Sequence, residues 1–185
     1  MSLRTFLLGG YWPDPHADPD VITTDRGPLG VRPLIPSDVE LAKAFIEGLQ
    51  PMSRYYRFFQ SFRSVPPSLL ERLVMIDPNE SMALIAVAAV GGRPRIVGEA
   101  RYCLDQDRLR ADVAIAVDDD WHGLGVGRGL LQRLESSARS IGIHHLEGEV
   151  MAANDKMLHF ARATGFQLWP DADRRYVRIG KTLIH

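Results

Sequence analysis

Between residues 81 and 117 apolar and polar positions alternate at the period of sheet, and on either side apolar positions recur at helical spacing. "SMALIAVAAV" (81–90) and "PRIVGEARYCL" (94–104) flank "GGRP", a hairpin signal, and "RADVAIAV" (110–117) follows the polar turn "DQDR". Upstream, "GVRPL" (30–34) predicts a short strand and "PSDVELAKAFIEGL" (36–49) a helix. In that helix Ser37 and Glu40 have capping-box spacing, and Leu41, Phe45 and Leu49 mark one face. "MSRYYRFFQSF" (52–62) and "PSLLERLVMID" (67–77) predict two further short helices. Downstream the pattern predicts a helix over 127–141 with Leu130, Leu131, Leu134, Ala138 and Ile141 inward, then a strand, "HHLEGEVM" (144–151). A helix opened by Asn154 and a terminal hairpin through "FQLWPDADRRYVRIGKTLIH" (166–185) complete the chain.

This order of elements predicts an α+β fold on a mixed sheet: an antiparallel β meander, then β-α-β-α and a C-terminal hairpin. The stretch 11–30 carries four prolines and repeated aspartates without periodicity, so residues 1–27 read as an extended arm and 28–185 as one domain. The 185 residues, 45% hydrophobic, suit a single core, and no second catalytic domain is expected.

Charge narrows the partners. Twenty-two basic against 23 acidic side chains leave a formal charge of −1, which argues against a general electrostatic grip on nucleic acid or anionic lipid. "MSRYYRFF" interleaves basic and aromatic residues, but on a helix of this domain it reads as core plus a basic rim, with a binding-site role as the alternative. The start, "MSLRTFLLGGYW", has too short an apolar patch for a secretory segment, and no run approaches the ~20 residues of a membrane span, so a cytoplasmic location is expected. The lone Cys103 is expected as a buried structural thiol. His144 and His145 fall on opposite sheet faces and no zinc spacing is completed, so no metal is expected. Monomer and homodimer are both compatible with the sequence.

"DDDWHGLGVGRGLL" (118–131) sets glycines at 123, 125, 127 and 129 between a strand and a helix. A G-x-G-x-x-G dinucleotide pattern fails, because Arg128 or Leu130 stands where its third glycine belongs, and no Gly-Lys-Ser/Thr follows for a Walker loop. What remains is a strand, a glycine loop and a helix start. There, main-chain N–H groups converge on one point, aided by the helix dipole: a pyrophosphate cradle.

"HGLGVG" (122–127) resembles the acyl-CoA-binding motif Q/R-x-x-G-x-G/A of the GNAT N-acetyltransferases, with His122 departing at the first position. "NDKMLHFARATGF" (154–166) resembles that family's second signature, an asparagine opening a helix that ends in Gly-Phe. A narrower resemblance, carried by "GLQPMSRYYRFFQSF", "RIVGEARYCLD", "ADVAIAVDDDWHGLGVGRGLL" and "LEGEVMAANDKMLHFARATGF", is to the acetyltransferase domain of Pat-type bacterial protein lysine acetyltransferases. In those proteins the domain is often joined to a synthetase-like or cyclic-nucleotide-binding region, for which this chain has no room. The resemblance implies a GNAT-like fold with splayed central strands, acetyl-CoA as cosubstrate and an amine acceptor, a protein lysine in the Pat-type relatives.

The resemblance also assigns residues. The cradle is His122, Gly123, Leu124, Gly125, Val126, Gly127 and Arg128. The pantetheine arm runs along the main chain of Ile115, Ala116 and Val117, with Asn154 beside it. An amine attacks only when neutral, and a lysine pKa of ~10.4 leaves little neutral amine at pH 7, so a base is required. Three carboxylates compete: Glu99, Asp112 and Glu149. The glutamate that starts the equivalent strand in Pat-like relatives falls on Asp112, one methylene shorter, whose alternative reading is a solvated strand-end charge. The tyrosine that many relatives place four residues before the second signature's glycine is Ala161 here, leaving thiolate protonation to water. The alternative role of "MSRYYRFF" is an acceptor-site or CoA-facing one. Two further readings stay open: a small-amine acceptor, and a non-catalytic acyl-CoA-binding module.

Overall fold

The computed structural model describes residues 20–183. Eight strands lie in one mixed sheet: β1 (Asp20–Thr24), β2 (Gly27–Pro33), β3 (Ser81–Val90), β4 (Arg93–Leu104), β5 (Arg110–Val117), β6 (His145–Met151), β7 (Gln167–Pro170) and β8 (Tyr176–Thr182). Their order is β1-β2-β3-β4-β5-β6-β8-β7, and the β5–β6 pair alone is parallel among them. The helices are α1 (Val39–Gly48), α2 (Pro51–Phe58), α3 (Pro67–Val74), α4 (Val126–Ser140) and α5 (Asp155–Ala163).

Two apolar layers sandwich the sheet. On one side α4 buries Leu130, Leu131, Leu134 and Ala138 against Val97, Ala111 and Leu146, joined by Leu158 and Ala161 of α5. On the other, α1 and α3 bury Phe45, Ile46, Leu69, Leu70 and Leu73 against Ala83, Ile85 and Ile96. On α4 the expected Leu130, Leu131, Leu134 and Ala138 are buried and Ile141 is half-buried; on α1 and its C-cap the expected Phe45 and Leu49 are buried, but Ala42 and Ile46 complete the stripe while Leu41 is half-buried. None of the helices described is long and apolar enough to cross a membrane.

Two local expectations are corrected. Within the segment read as an arm, Asp20–Thr24 pairs along β2 and packs Ile22 into the core, so the sheet begins at residue 20; residues 1–19 lie outside the described residues. The Ser37–Glu40 capping box does not form. A 3-10 turn, Pro36–Asp38, precedes α1, and Asp38 accepts the Ile35 N–H at 3.0 Å while binding Arg32 through contacts of 2.6 and 2.7 Å. A buried carboxylate held by a guanidinium outcompetes a serine hydroxyl for that position.

Candidate active site

β5 and β6 part company early. Their parallel register holds only for Arg110–His145, Ala111–Leu146 and Asp112–Glu147. On its other edge β5 stays paired with β4 from Ala111 to Val117. Arg110 O accepts the Asp105 N–H and Asp118 N–H donates to Val97 O, which turns the even-numbered residues toward β4. Ladder alternation then directs the main chain of Val113, Ile115 and Val117 toward β6. The Val113 carbonyl lies over Gly148, where an added Cβ would stand 3.1 Å from it, and the Val117 carbonyl meets His122 Nε2 at 3.0 Å. Ile115 between them presents N–H and C=O to the opening, whereas Ala116 turns its main chain to the β4 ladder.

The cradle stands at the end of this opening. Buried Asp118 accepts the Asp120 N–H and pairs with Arg95, and buried Trp121 anchors the turn beneath the Arg26 guanidinium, 5.5 Å from the ring centroid. Gly123 and Gly125 follow with φ of +76° and +82°, and nothing lies within 4 Å of where their Cβ atoms would be. The first helical bond of α4 is Gly129 N–H to Gly125 O. The N–H groups of Val126, Gly127 and Arg128 therefore have no acceptor one turn back, and the helix dipole adds positive potential there. These features fit an anionic ligand such as a pyrophosphate. Leu124 packs on the core beneath, and Arg128 reaches the Ala163 carbonyl at 3.4 Å. Asn154 caps α5, its Oδ1 accepting the Met157 N–H at 3.1 Å.

The opposite sheet face carries the carboxylates. Val113, Ile115 and Val117 pack toward the α4 core, so Asp112, Ala114 and Ala116 face the other way, with Ala116 against the α1–α3 layer. Register brings Glu99, Arg101 and Cys103 of β4 to that face opposite Ala116, Ala114 and Asp112. On β6, Glu147 and Glu149 share it, Glu149 opposite Arg178 of β8. The three candidate bases thus lie on one face in different states. Glu99 is 5% exposed and bonded to Arg101, with Arg57 at 3.7 Å; the two guanidiniums hold its carboxyl below the usual range against the opposing effect of burial. Asp112 is exposed and has no hydrogen-bond partner among the described residues. Partial desolvation of its carboxyl, then Glu147 and Asp105, raise its pKa. Glu149 is exposed.

Cys103 is corrected: it is exposed, because the period that buries Ala100 and Tyr102 turns residues 99, 101 and 103 to the carboxylate face. Ala161 is fully buried in the α4–α5 core, so α5 brings no hydroxyl into the opening there.

The core reading of α2 is corrected: none of its residues is fully buried, and the helix spans the gap between the strands. Tyr56 donates its hydroxyl to the Ala153 carbonyl at 3.0 Å, just after β6, and Phe59 packs edge-on against Tyr176 with centroids 5.7 Å apart. Arg57 points at Glu99, its Nε and Nη2 buried without hydrogen-bond partners. Ser53 and Gln50 bind Asp119, just after β5. The hydrogen bonds among these join residues 66 to 97 apart, and no local pattern announces them. Beside the face, an open groove of ≈ 640 Å³ runs along β6 and β8, lined by Glu147, Trp169 and Arg178 among others. No group of three or more His, Cys, Asp or Glu among the described residues is placed to hold a metal ion.

Residues 46–166 match the family model described as Acetyltransferase (GNAT) family. Acetyltransferase PA5475 of Pseudomonas aeruginosa is 34% identical over 143 residues, 77% of each chain. Acetyltransferase Pat of Mycolicibacterium smegmatis is 31% identical over 130 residues, 69% of this chain but 38% of that protein. The crystal structure of the GNAT domain of S. lividans PAT superposes with a TM-score of 0.82 at 26% identity, covering 92% of this chain and all of that one.

Proposed function

The chain belongs to the GNAT acetyltransferase family and is an acyltransferase with an acyl-CoA cosubstrate, and on that premise we propose that it moves acetyl from acetyl-CoA directly to the ε-amine of a protein lysine in a ternary complex. The observation that carries the reading is the arrangement around β5: an open main-chain edge at Ile115 leading to the glycine cradle, with an unpartnered carboxylate, Asp112, on the same strand. The pyrophosphate sits on the N–H groups from Gly123 to Arg128, and the pantetheine amides pair with Ile115 and lie beside Asn154. The neutral amine attacks the thioester carbonyl and a tetrahedral oxyanion forms beside a main-chain N–H of the open edge. The attacking nitrogen gives up its extra proton through water to Asp112, the C–S bond breaks, the CoA thiolate takes a proton from water, and the amide is released.

Asp112 is the base in this reading. Glu99 is buried and its charge is countered by two arginines, Arg101 on Oε1 and Arg57 at 3.7 Å from Oε2. Glu149, on β6 opposite Arg178, shares the carboxylate face and is assigned no proton transfer. Three residues at ~3.3 Å rise separate Asp112 from Ile115 by ~10 Å, so the proton passes through water. A protein acceptor is favoured by the likeness to Acetyltransferase Pat and by the open groove beside β6 and β8.

The test is transfer of labelled acetyl from acetyl-CoA into a desalted lysate supplemented with a panel of small amines, counting protein-bound and low-mass label separately. Protein label above an enzyme-free control supports lysine transfer. Label confined to the low-mass fraction replaces the acceptor with a small amine, and label in neither fraction refutes the transfer reaction as written.

A further inference from the structure

α2 is half-buried along Ser53–Phe58 and is tied chiefly at its ends. None of its eight residues is buried, although it lies over the strand that carries Asp112. Its N-terminus is held by one carboxylate: Asp119 Oδ2 accepts the Gln50 N–H at 3.0 Å and Oδ1 accepts the Ser53 hydroxyl at 2.6 Å. Further along, Tyr56 bonds to Ala153, Arg54 reaches the Glu47 carbonyl at 3.2 Å, Phe58 packs partly on the α1–α3 layer, Phe59 meets the Tyr176 ring, and Arg57 forms a loose pair with Glu99 that leaves two donors unpartnered. An element without a fully buried residue belongs to the least stable parts of a fold, and its position follows whatever fixes its ends.

Asp119 is also the first residue of the 3-10 turn Asp119–Trp121, and the glycine loop begins immediately after it at His122. That turn is rigid, with Trp121 buried below and Asp118 locked to Arg95. We infer that Asp119 is a positioning residue that couples occupancy of the glycine cradle to the seating of α2 over the acceptor face. A ligand bonded to the N–H groups of 123–128 restricts the loop, the turn transmits the restriction to the Asp119 carboxylate, and the carboxylate orients the first turn of α2. By linkage, whatever binds under α2 in its seated position tightens the cradle equally. This inference rests on the cradle being the acyl-CoA site.

The test is hydrogen exchange on the full chain with and without CoA, following amides of 51–58 and 123–128 in the unaltered protein, Asp119→Ala, Asp119→Asn and Ser53→Ala. CoA should slow both segments in the unaltered protein, α2 by about fivefold or more. In Asp119→Ala the cradle should stay protected while CoA-dependent protection of α2 is lost. Asp119→Asn, which keeps an acceptor, should restore part of it. Ser53→Ala, which removes one of the two bonds without touching the cradle, should fall between and decides the matter if the Asp119 variants do not fold. Protection of the cradle with α2 unaffected, or α2 slowed equally in every variant, overturns the coupling. No protection of either segment overturns the acyl-CoA reading of the cradle, and the coupling with it.

Discussion

Asp112 stands directly opposite Cys103 across the β4–β5 ladder and opposite Glu147 on β6, the last registered pair before those strands separate. It is thus a carboxylate at the mouth of the opening with an acidic neighbour and no cation bonded to it.

Its chemistry and its stability contribution have opposite signs. Desolvation, Glu147 and Asp105 raise its folded pKa, so the fold favours the protonated form. The stabilising contribution is present below the unfolded pKa of ~3.9 and is lost as pH rises through the higher folded value. As base it must be ionised. Asp112→Asn should therefore lower turnover by on the order of 10²-fold, leave acetyl-CoA affinity unchanged, and raise the melting temperature at pH 7. The unaltered enzyme should show an acid limb in kcat/KM above the ordinary aspartate range. Steady-state rates from pH 5 to 9 beside thermal melts check both signs; unchanged turnover across that range removes Asp112 as base.

Glu99 should behave in the reverse way. It is buried, and Arg101 and Arg57 depress its pKa below the usual range. Its contribution is present above the unfolded glutamate pKa of ~4.3 and lost as pH falls through the lower folded value. Glu99→Gln leaves two guanidiniums facing each other without a counter-charge and should cost about 3–5 kcal/mol at pH 7. Urea unfolding at pH 7 and again near pH 3 checks this: the gap between variant and parent should narrow at the lower pH.

The parts that were legible in the sequence are those written in one segment. The strand, glycine loop and helix from Val113 to Ala138 declare themselves by period and by glycine spacing, and Asn154 by its cap. β1 was hidden because prolines and aspartates mask a strand whose pairing comes from β2 and whose burial comes from α4, more than 100 residues away. Cys103 was misread through its residue type, although the polar alternation Glu99, Arg101, Cys103 already pointed outward. The Asp119 and Tyr56 contacts arise only when α2 folds across the sheet.

Two glycines of one helix start should separate folding from binding. Gly125 has φ +82° with open space where a Cβ would stand, so in Gly125→Val the strain of about 1–2 kcal/mol falls on the loop that presents the N–H groups. Gly129, four residues on, is different: a Cβ there would stand 2.7 and 2.8 Å from Ile22 of β1. Gly129→Ala should cost about 1–3 kcal/mol through overpacking while CoA still binds. Calorimetric titration with CoA, with melting curves in parallel, should show binding lost in the first variant and stability lost in the second.

The exposed thiol opposite Asp112 reports on the same site. Partial desolvation of the sulfur raises the Cys103 pKa first; Arg101 and Arg57 oppose the shift, and Asp112 and Glu99 add to it. The thiolate is the reactive form, so alkylation by iodoacetamide at pH 7.5 should be slower than for a free cysteine, whose pKa is ~8.5. Asp112→Asn removes one of the charges that disfavour the thiolate, and the rate should rise. The adduct would lie across the ladder from the proposed base, on the face where an amine approaches, so turnover should fall in step with labelling while acetyl-CoA affinity holds. Mass spectrometry of the labelled fraction against residual rate checks this. Full turnover in fully alkylated protein would place the acceptor path away from the Cys103–Asp112 pair.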